Sequence, residues 1–445
     1  MNGPLYMQTS NNVVLVRRIK RKGHGPVKQL TRWFVENQIG LSFNLLTLLL
    51  LTHGCMPRAR PYTTKFFTLA YRNPDTGNYG MGSSDGYLVA FCIVLFTGLR
   101  AATMEYLLAP FAKRRGIEKK KDITRFCEQA WLFIYYVAFW TLGMYIYYRS
   151  SYFLDLKSLW ANWPNRELSG TMKFYMLVQL SFWMQQVIVI NIEERRKDHW
   201  QMFTHHLITI NLIYASYRYH HTSVGNLILV LMDVVDIFLA GAKCLRYLGY
   251  RVLCDVAFGV FMLSWFLARH VLYMAVCYSV WAHTPHILPT GCFSGSNANL
   301  TGPFPPPADR GALYLLEPLW QRDGLVCYNE TVKWSFLSLL LFLQGITVLW
   351  FTMIVRVAVR VLKGAGADDS RSDDEDGLED DEEEFVYEEA QALEQEVGVE
   401  EIDLKNWERR TGLKRHVVTA TGVSLPGHSD RKELLGRIGC EKQVD

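Results

Sequence analysis

The sequence predicts an all-α polytopic membrane protein with about eight transmembrane helices. Three observations carry that prediction. Half of the 445 residues are hydrophobic and 13% are aromatic, a composition suited to a membrane domain. Eight apolar segments each approach the roughly 20 residues that a bilayer-spanning helix needs. Charge is segregated: residues 368–403 hold nineteen Asp and Glu, with Arg371 the one basic residue, and the rest of the chain has 46 Lys and Arg against 24 Asp and Glu. A basic membrane body with an acidic tail suits anionic headgroups or a polyanionic substrate. No segment reads as a nucleic-acid-binding module.

The elements follow in order. Residues 1–38 form a basic N-terminal segment, and polar sequence after Arg17–Lys22 argues against a cleaved signal. The first hydrophobic span then serves as the targeting signal. Spans are expected near 39–56, 86–109, 130–148, 174–192, 203–220, 224–241, 253–282 and 334–362. The first is broken by polar residues. Tyr145, Tyr147 and Tyr148 sit at a span end, as interfacial aromatics do. Residues 39–124 hold the first two spans, 125–363 a second membrane domain, and 364–445 an acidic tail expected to be largely disordered. Ser370 and Ser372 each precede an acid by three residues, Asp373 and Glu375, a pattern for acidic-directed phosphorylation.

Lys and Arg are densest in the N-terminal segment and in the loops after the second, fourth and sixth spans. The positive-inside rule puts these in the cytosol, and an even span count brings both termini there. The loop 283–333 then faces the lumen. It carries the sequons Asn299-Leu300-Thr301 and Asn329-Glu330-Thr331, which are glycosylated only on that side. Its two cysteines, Cys292 and Cys327, are expected to form a disulfide in an oxidising compartment.

The chemistry is sought at WQMFTHHLITINLIY, residues 200–214. Two adjacent imidazoles in a span are costly without partners or a task. A very short connection near His220–Thr222 makes the fifth and sixth spans an antiparallel hairpin. Counted from residue 221, His206 lies 15 residues before and Asp236 15 after, which places them at one depth. His205 is adjacent, and Asp233 lies one turn from Asp236 on the same face. A carboxylate accepting one ring N–H fixes the tautomer and raises the basicity of the other nitrogen. The result is a general base or a nucleophile. Interhelical hydrogen bonding alone, or a zinc or iron site, are the competing readings. A single His pair, with His199 off its face, argues against metal.

Other polar groups in the spans are Glu105, Asn211, Arg269 and His270. Arg269 requires an anionic or carbonyl partner and is open to Asp233, Asp236 or a polar substrate. Trp265, one turn earlier, packs near it. Arg195, Arg196 and Lys197 before the fifth span, and Lys243, Arg246 and Arg251 after the sixth, form a basic mouth that attracts phosphates. Positive-inside topology explains part of that clustering.

The run Arg195-Arg196-Lys197-Asp198-His199-Trp200, His205-His206, and Leu231-Met232-Asp233-Val234-Val235-Asp236 with Lys243 after it, resembles the Lag motif of ceramide synthases, in the TLC superfamily. The likeness is strongest over about 190–250 and extends over 125–362; the acidic tail resembles fungal members. It implies a TLC-type helical barrel of six to seven spans around a central cavity, in the endoplasmic-reticulum membrane. It also implies acyl transfer from acyl-CoA to the amine of a sphingoid base, sphinganine or phytosphingosine. His205, His206, Asp233 and Asp236 map onto the family's essential residues, with an acyl-imidazole on His205 or direct transfer with His205 as base. A thioester is already activated, so no cofactor is expected. Arg195, Arg196, Lys197, Lys243, Arg246, Asn211, Trp265 and Arg269 are candidate substrate contacts. Cavity depth, with the loop 283–333, would set acyl length. A single-span accessory subunit and dimerisation are implied by the fungal likeness. Competing classes are a fatty-acid elongase-like enzyme or hydroxylase and a non-catalytic TLC-type lipid-handling protein. An elongase carries HxxHH, whereas Met202 stands three residues before His205.

Overall fold

The computed structural model describes residues 6–8, 14–20, 26–192, 199–307, 311–321, 324–362 and 384–389. Eight long helices account for most of them: α1 (Pro26–Cys55), α2 (Asp85–Arg114), α3 (Lys120–Tyr148), α4 (Gly170–Ile192), α5 (His199–Arg218), α6 (Thr222–Tyr247), α7 (Arg251–Ala282) and α8 (Glu330–Leu362). Six strands accompany them: β1 (Tyr6–Gln8), β2 (Val14–Lys20), β3 (Gly291–Ser294), β4 (Thr301–Phe304), β5 (Val326–Tyr328) and β6 (Glu384–Glu389).

The chain divides into two units. In the first, β1, β2 and β6 form an antiparallel sheet in that order, with Leu15 opposite Glu389 and Lys20 opposite Glu384. β6 is a strand inside the acidic tail, which was expected to be largely disordered. The remainder of 364–445, with Ser370 and Ser372, lies outside the described residues, as do Arg195, Arg196 and Lys197.

The second unit is the helical body. Six of its helices, all but α5 and α6, are long and apolar enough to cross a membrane. Each of the eight expected spans forms a helix; α1 begins at Pro26 and α3 at Lys120, well before the predicted 39 and 130, and the other ends fall close to the predicted limits. Exposed Leu45, Leu48, Leu50 and Leu51 on α1 match a helix face turned to hydrocarbon. The chain is a multi-pass membrane protein.

Packing defines the interior. α3 lies along α6, α6 along α7, α7 against α8, α8 against α5, α5 against α4, and α4 against α3, which closes a ring of six helices. α2 packs outside on α4, and α1 on α2. Glycines set two close approaches. A Cβ on Gly143 would sit 2.6 Å from the Tyr175 hydroxyl, and one on Gly225 would sit 2.7 Å from the Ser216 Oγ. Small residues let helices approach closely where no water drives them together. Two of the long helices carry a π turn, Thr103–Leu108 in α2 and Phe266–Leu272 in α7.

One end of the body is tied by polar contacts. Lys173 and Asp85 are buried and paired at 2.6 Å. Asp85 Oδ2 also accepts from the Gly82 amide and the Tyr217 hydroxyl, and Lys173 Nζ donates to the Ala70 and Gly80 carbonyls. A buried pair is tolerable only when its remaining donors and acceptors are satisfied in this way. At the same end the segment between α7 and α8, expected as plain loop, folds into a meander of order β4-β3-β5. Cys292 and Cys327 stand opposite each other in the ladder and are disulfide-bonded. Arg166 donates to the Phe293 and Gly324 carbonyls, and Arg218 to those of Pro318 and Gln321. These guanidinium bonds fasten the meander segment to the helical body.

Candidate active site

A cavity runs inside the ring between α5, α6, α7 and α8, with Trp183 of α4 also in its wall. Its α5 wall is His205, Thr209, Leu212, Ile213 and Ser216, and its α8 wall is Lys333, Phe336, Leu340 and Leu343. These spacings of three and four put each set on one helix face. On α6 the wall runs from Val224 to Asp236, about 18 Å at 1.5 Å per residue. The middle is apolar, with Leu212, Ile213, Ile228, Leu229, Met232 and Leu340. Buried Trp160, Thr284, Tyr328 and Lys333 floor the end beneath the meander. His205, Asp236 and Arg269 line the opposite end.

The four His and Asp side chains separate into two pairs. His205 and Asp236 are partly open and face the cavity, whereas His206 and Asp233 are buried behind them. The imidazole rings of His205 and His206 are 5.7 Å apart and perpendicular. Trp183 on α4 meets both edge-on, at 5.6 and 5.2 Å, and Trp350 on α8 meets His205 at 5.2 Å. The histidines therefore sit in an aromatic box that fixes their ring planes.

The expected His–Asp hydrogen bond is not made. His206 Nδ1 lies 2.6 Å from the Met202 carbonyl of its own helix. A carbonyl only accepts, so the proton is on Nδ1 and a neutral ring presents Nε2 as its basic nitrogen. His205 Nδ1 is buried without a hydrogen-bond partner. The aspartates are occupied elsewhere. Arg269 donates to both oxygens of Asp236 at 3.0 Å, and to the Met232 carbonyl at 3.1 Å. Asp233 Oδ2 accepts from Gln179 Nε2 at 2.8 Å. The reason is lateral. α5 and α6 meet near their turn, where Gly225 approaches Ser216, but toward the His and Asp level α6 lies along α3 and α7 and α5 along α4, with the cavity lined from both sides by His205 and Asp236.

Arg269 thus has the anionic partner that its burial requires, at the centre of the α7 π turn. Such turns re-aim side chains and recur at functional sites. Trp265 lies under it, with the guanidinium 4.1 Å from the ring centroid, and supports Arg269 rather than lining the cavity. Asn211 is not brought into the site. It is exposed, and its amide donates to the Leu207 carbonyl on its own helix. Lys243 and Arg246 are half-buried, two and three turns beyond Asp236 toward the end of α6. Glu105 is exposed on the outer helix α2. His270 pairs with Gln344 between α7 and α8. Among the described residues, no three His, Cys, Asp or Glu side chains form a metal-binding group.

Sequence reasoning missed Gln179, Trp183 and Trp350. A signal was present for the first two: Gln179 is a polar residue inside a span, and Trp183 follows it by one turn on the same face.

The TLC domain of the TRAM_LAG1_CLN8 family matches residues 125–356, which span α3 to α8. A ceramide synthase of Gibberella moniliformis, FUM18, is 47% identical over 341 residues, 76% of this chain and 79% of the relative. The sphingosine N-acyltransferase lag1 of Schizosaccharomyces pombe is 39% identical over 332 residues, 74% and 78%. The human protein called ceramide synthase 5 is 31% identical over 270 residues, 60% and 59%. The chain belongs to the TLC-domain family of membrane proteins. Within it, its place is with the fungal Lag-type ceramide synthases.

Proposed function

We propose that this protein moves a fatty acyl group from acyl-CoA to the amine of a sphingoid base, giving ceramide and free CoA. The observation that carries the reading is an imidazole, His205, at one end of a long apolar cavity built from facing helix stripes. An acyl chain lies in the cavity with its thioester at His205. The ring nitrogen attacks the thioester carbonyl, the C–S bond breaks, and the CoA thiolate leaves with the N–H proton that the acylated ring gives up. The sphingoid amine, having lost the ammonium proton, then attacks the acyl-imidazole. The amide forms and the imidazole is restored. Asp236, held by Arg269, presents carboxylate beside the amine's path, and His206 offers Nε2 for the proton. Direct transfer, with His205 as general base, is the second reading.

A thioester is activated already, which supports transfer without metal or cofactor. Arg195, Arg196, Lys197, Lys243 and Arg246 are placed in sequence to meet the CoA phosphates at the mouth. Cavity depth and its floor set acyl length. The sheet of β1, β2 and β6 joins strands that precede α1 and follow α8, which supports an even number of crossings. With the charge bias, both termini then lie on the cytosolic side of an endoplasmic-reticulum membrane. A single-span accessory subunit and dimerisation belong to the same reading.

The test is intact mass spectrometry of purified protein with a long-chain acyl-CoA and no base. An acyl adduct that is absent in His205→Ala, and that is discharged as ceramide by sphinganine, is the expected result. Ceramide without an adduct selects direct transfer. Neither adduct nor ceramide, with the accessory subunit supplied, overturns the transferase.

A further inference from the structure

Asp233 is completely buried, and the cation nearest the site is committed elsewhere. Arg269 donates to both Asp236 oxygens and to Met232. The group that does bind Asp233 is the neutral amide of Gln179, itself completely buried. That amide is not free to turn. The Tyr135 hydroxyl donates to its Oε1 at 3.1 Å, so Nε2 is directed at the carboxyl. The Tyr175 hydroxyl lies 3.4 Å from the same nitrogen. Tyr135 is in turn stacked on Phe182, with centroids 3.4 Å apart and planes 9° from parallel. Asp233 Oδ1 has no hydrogen-bond partner.

We infer that Gln179 is a positioning residue for the acyl transfer, fixing the Asp233 carboxyl through a donor that Tyr135 orients. The inference rests on the transferase reading for its kinetic test. One oxygen of Asp233 is pinned, and Oδ1 is left without a hydrogen bond. A glutamine suits this task. A cation there would lock the carboxyl as an anion, and an apolar residue would leave it with no donor in a water-poor interior. Gln179 is invisible to a catalytic-residue search because it bonds Asp233 rather than His205 and does not itself line the cavity.

The groups facing Asp233 are Tyr135 and Tyr136 from α3, Tyr175 from α4, Asp236 on α6 and Arg269 from α7. With that surrounding unchanged, Gln179→Leu should lower kcat about 10- to 100-fold, the range of a hydrogen bond to a charged group. KM for acyl-CoA should not move, because the cavity wall is intact. Gln179→Glu should restore part of the rate with the pH optimum displaced downward, since two carboxyls in contact must share a proton. Tyr135→Phe frees the amide to rotate and should give a smaller loss in the same direction. It is the variant to use if Gln179→Leu does not fold. Infrared spectra of the carboxyl region, assigned with Asp233→Asn, give a readout independent of turnover: the Asp233 band should shift in Gln179→Leu. Wild-type rate with an unmoved band, or equal changes in kcat and KM, overturns the inference. Loss in Gln179→Glu at every pH does so too. Wild-type protein that makes no ceramide overturns the transferase instead, and the infrared shift then decides the Gln179–Asp233 contact alone.

Discussion

Arg269 and Asp236 form a two-point ion pair at the cavity wall, and its removal from either side is not equivalent. Arg269→Met leaves a carboxylate facing an apolar channel without its cation. Breaking a buried pair in this way costs about 3–5 kcal/mol, so thermal unfolding in detergent should shift sharply downward. The double variant Asp236→Asn with Arg269→Met removes both charges and should recover much of that stability, but no activity. A double variant as unstable as the single one would show that Arg269 acts mainly through the Met232 carbonyl and Trp265. At this scale the sequence was informative about depth and silent about direction. Rise per residue places His206 and Asp236 at one level; Asp236 lines the cavity, and His206 packs behind His205, which lines it too. Which side chain each would face depends on how α5 and α6 lean on α4, α3 and α7. No count along the chain contains that information. The same blindness put Asn211 among the substrate contacts, although it is exposed and bonded to its own helix.

The elements were largely legible, since each apolar segment became a helix. The meander was not, because three strands of three or four residues carry little periodicity. The cysteine pair was the visible sign of it. Joined residues 35 apart, in a segment that must stay on top of the bundle, restrict the unfolded chain. Cys292→Ala with Cys327→Ala should cost about 2–4 kcal/mol, read as a lower unfolding temperature and faster proteolysis of the 283–333 segment. The two sequons also differ in structure. Asn299 is exposed, whereas Asn329 accepts the Val332 amide at 2.9 Å, as a helix cap, and donates to the Tyr314 hydroxyl. If the meander faces the lumen, Asn299→Gln should remove a glycan seen as a gel shift, and Asn329→Gln should leave the glycan pattern unchanged. Asn329→Ala should instead lower stability by about 1 kcal/mol.

For the whole molecule, the polar ties at the meander end predict a dependence on acidity. His221, in the turn between α5 and α6, stacks on Trp163 and meets Trp160 and Phe336 edge-on. Burial among these rings pushes its pKa down to about 4. The unfolded chain binds a proton near pH 6.5 and the folded one does not until about pH 4. Stability is therefore full above pH 6.5 and declines as pH falls through that window, by an amount on the order of 2–3 kcal/mol. Unfolding temperatures measured from pH 7.5 to 4.5 should fall in the wild type and fall less in His221→Phe. Equal slopes would assign the acid sensitivity to other groups.

The floor of Trp160, Thr284, Tyr328 and Lys333 has a consequence for traffic. If these side chains close that end, the channel cannot be threaded through. A chain must go in methyl end first and come out by the way it entered, so loading and unloading share one doorway. CoA has to clear that doorway before an amine approaches the carbonyl, and ceramide has to back out before the next thioester docks. Each turnover is then a queue in single file, and a slow-leaving product delays the enzyme as effectively as a missing substrate.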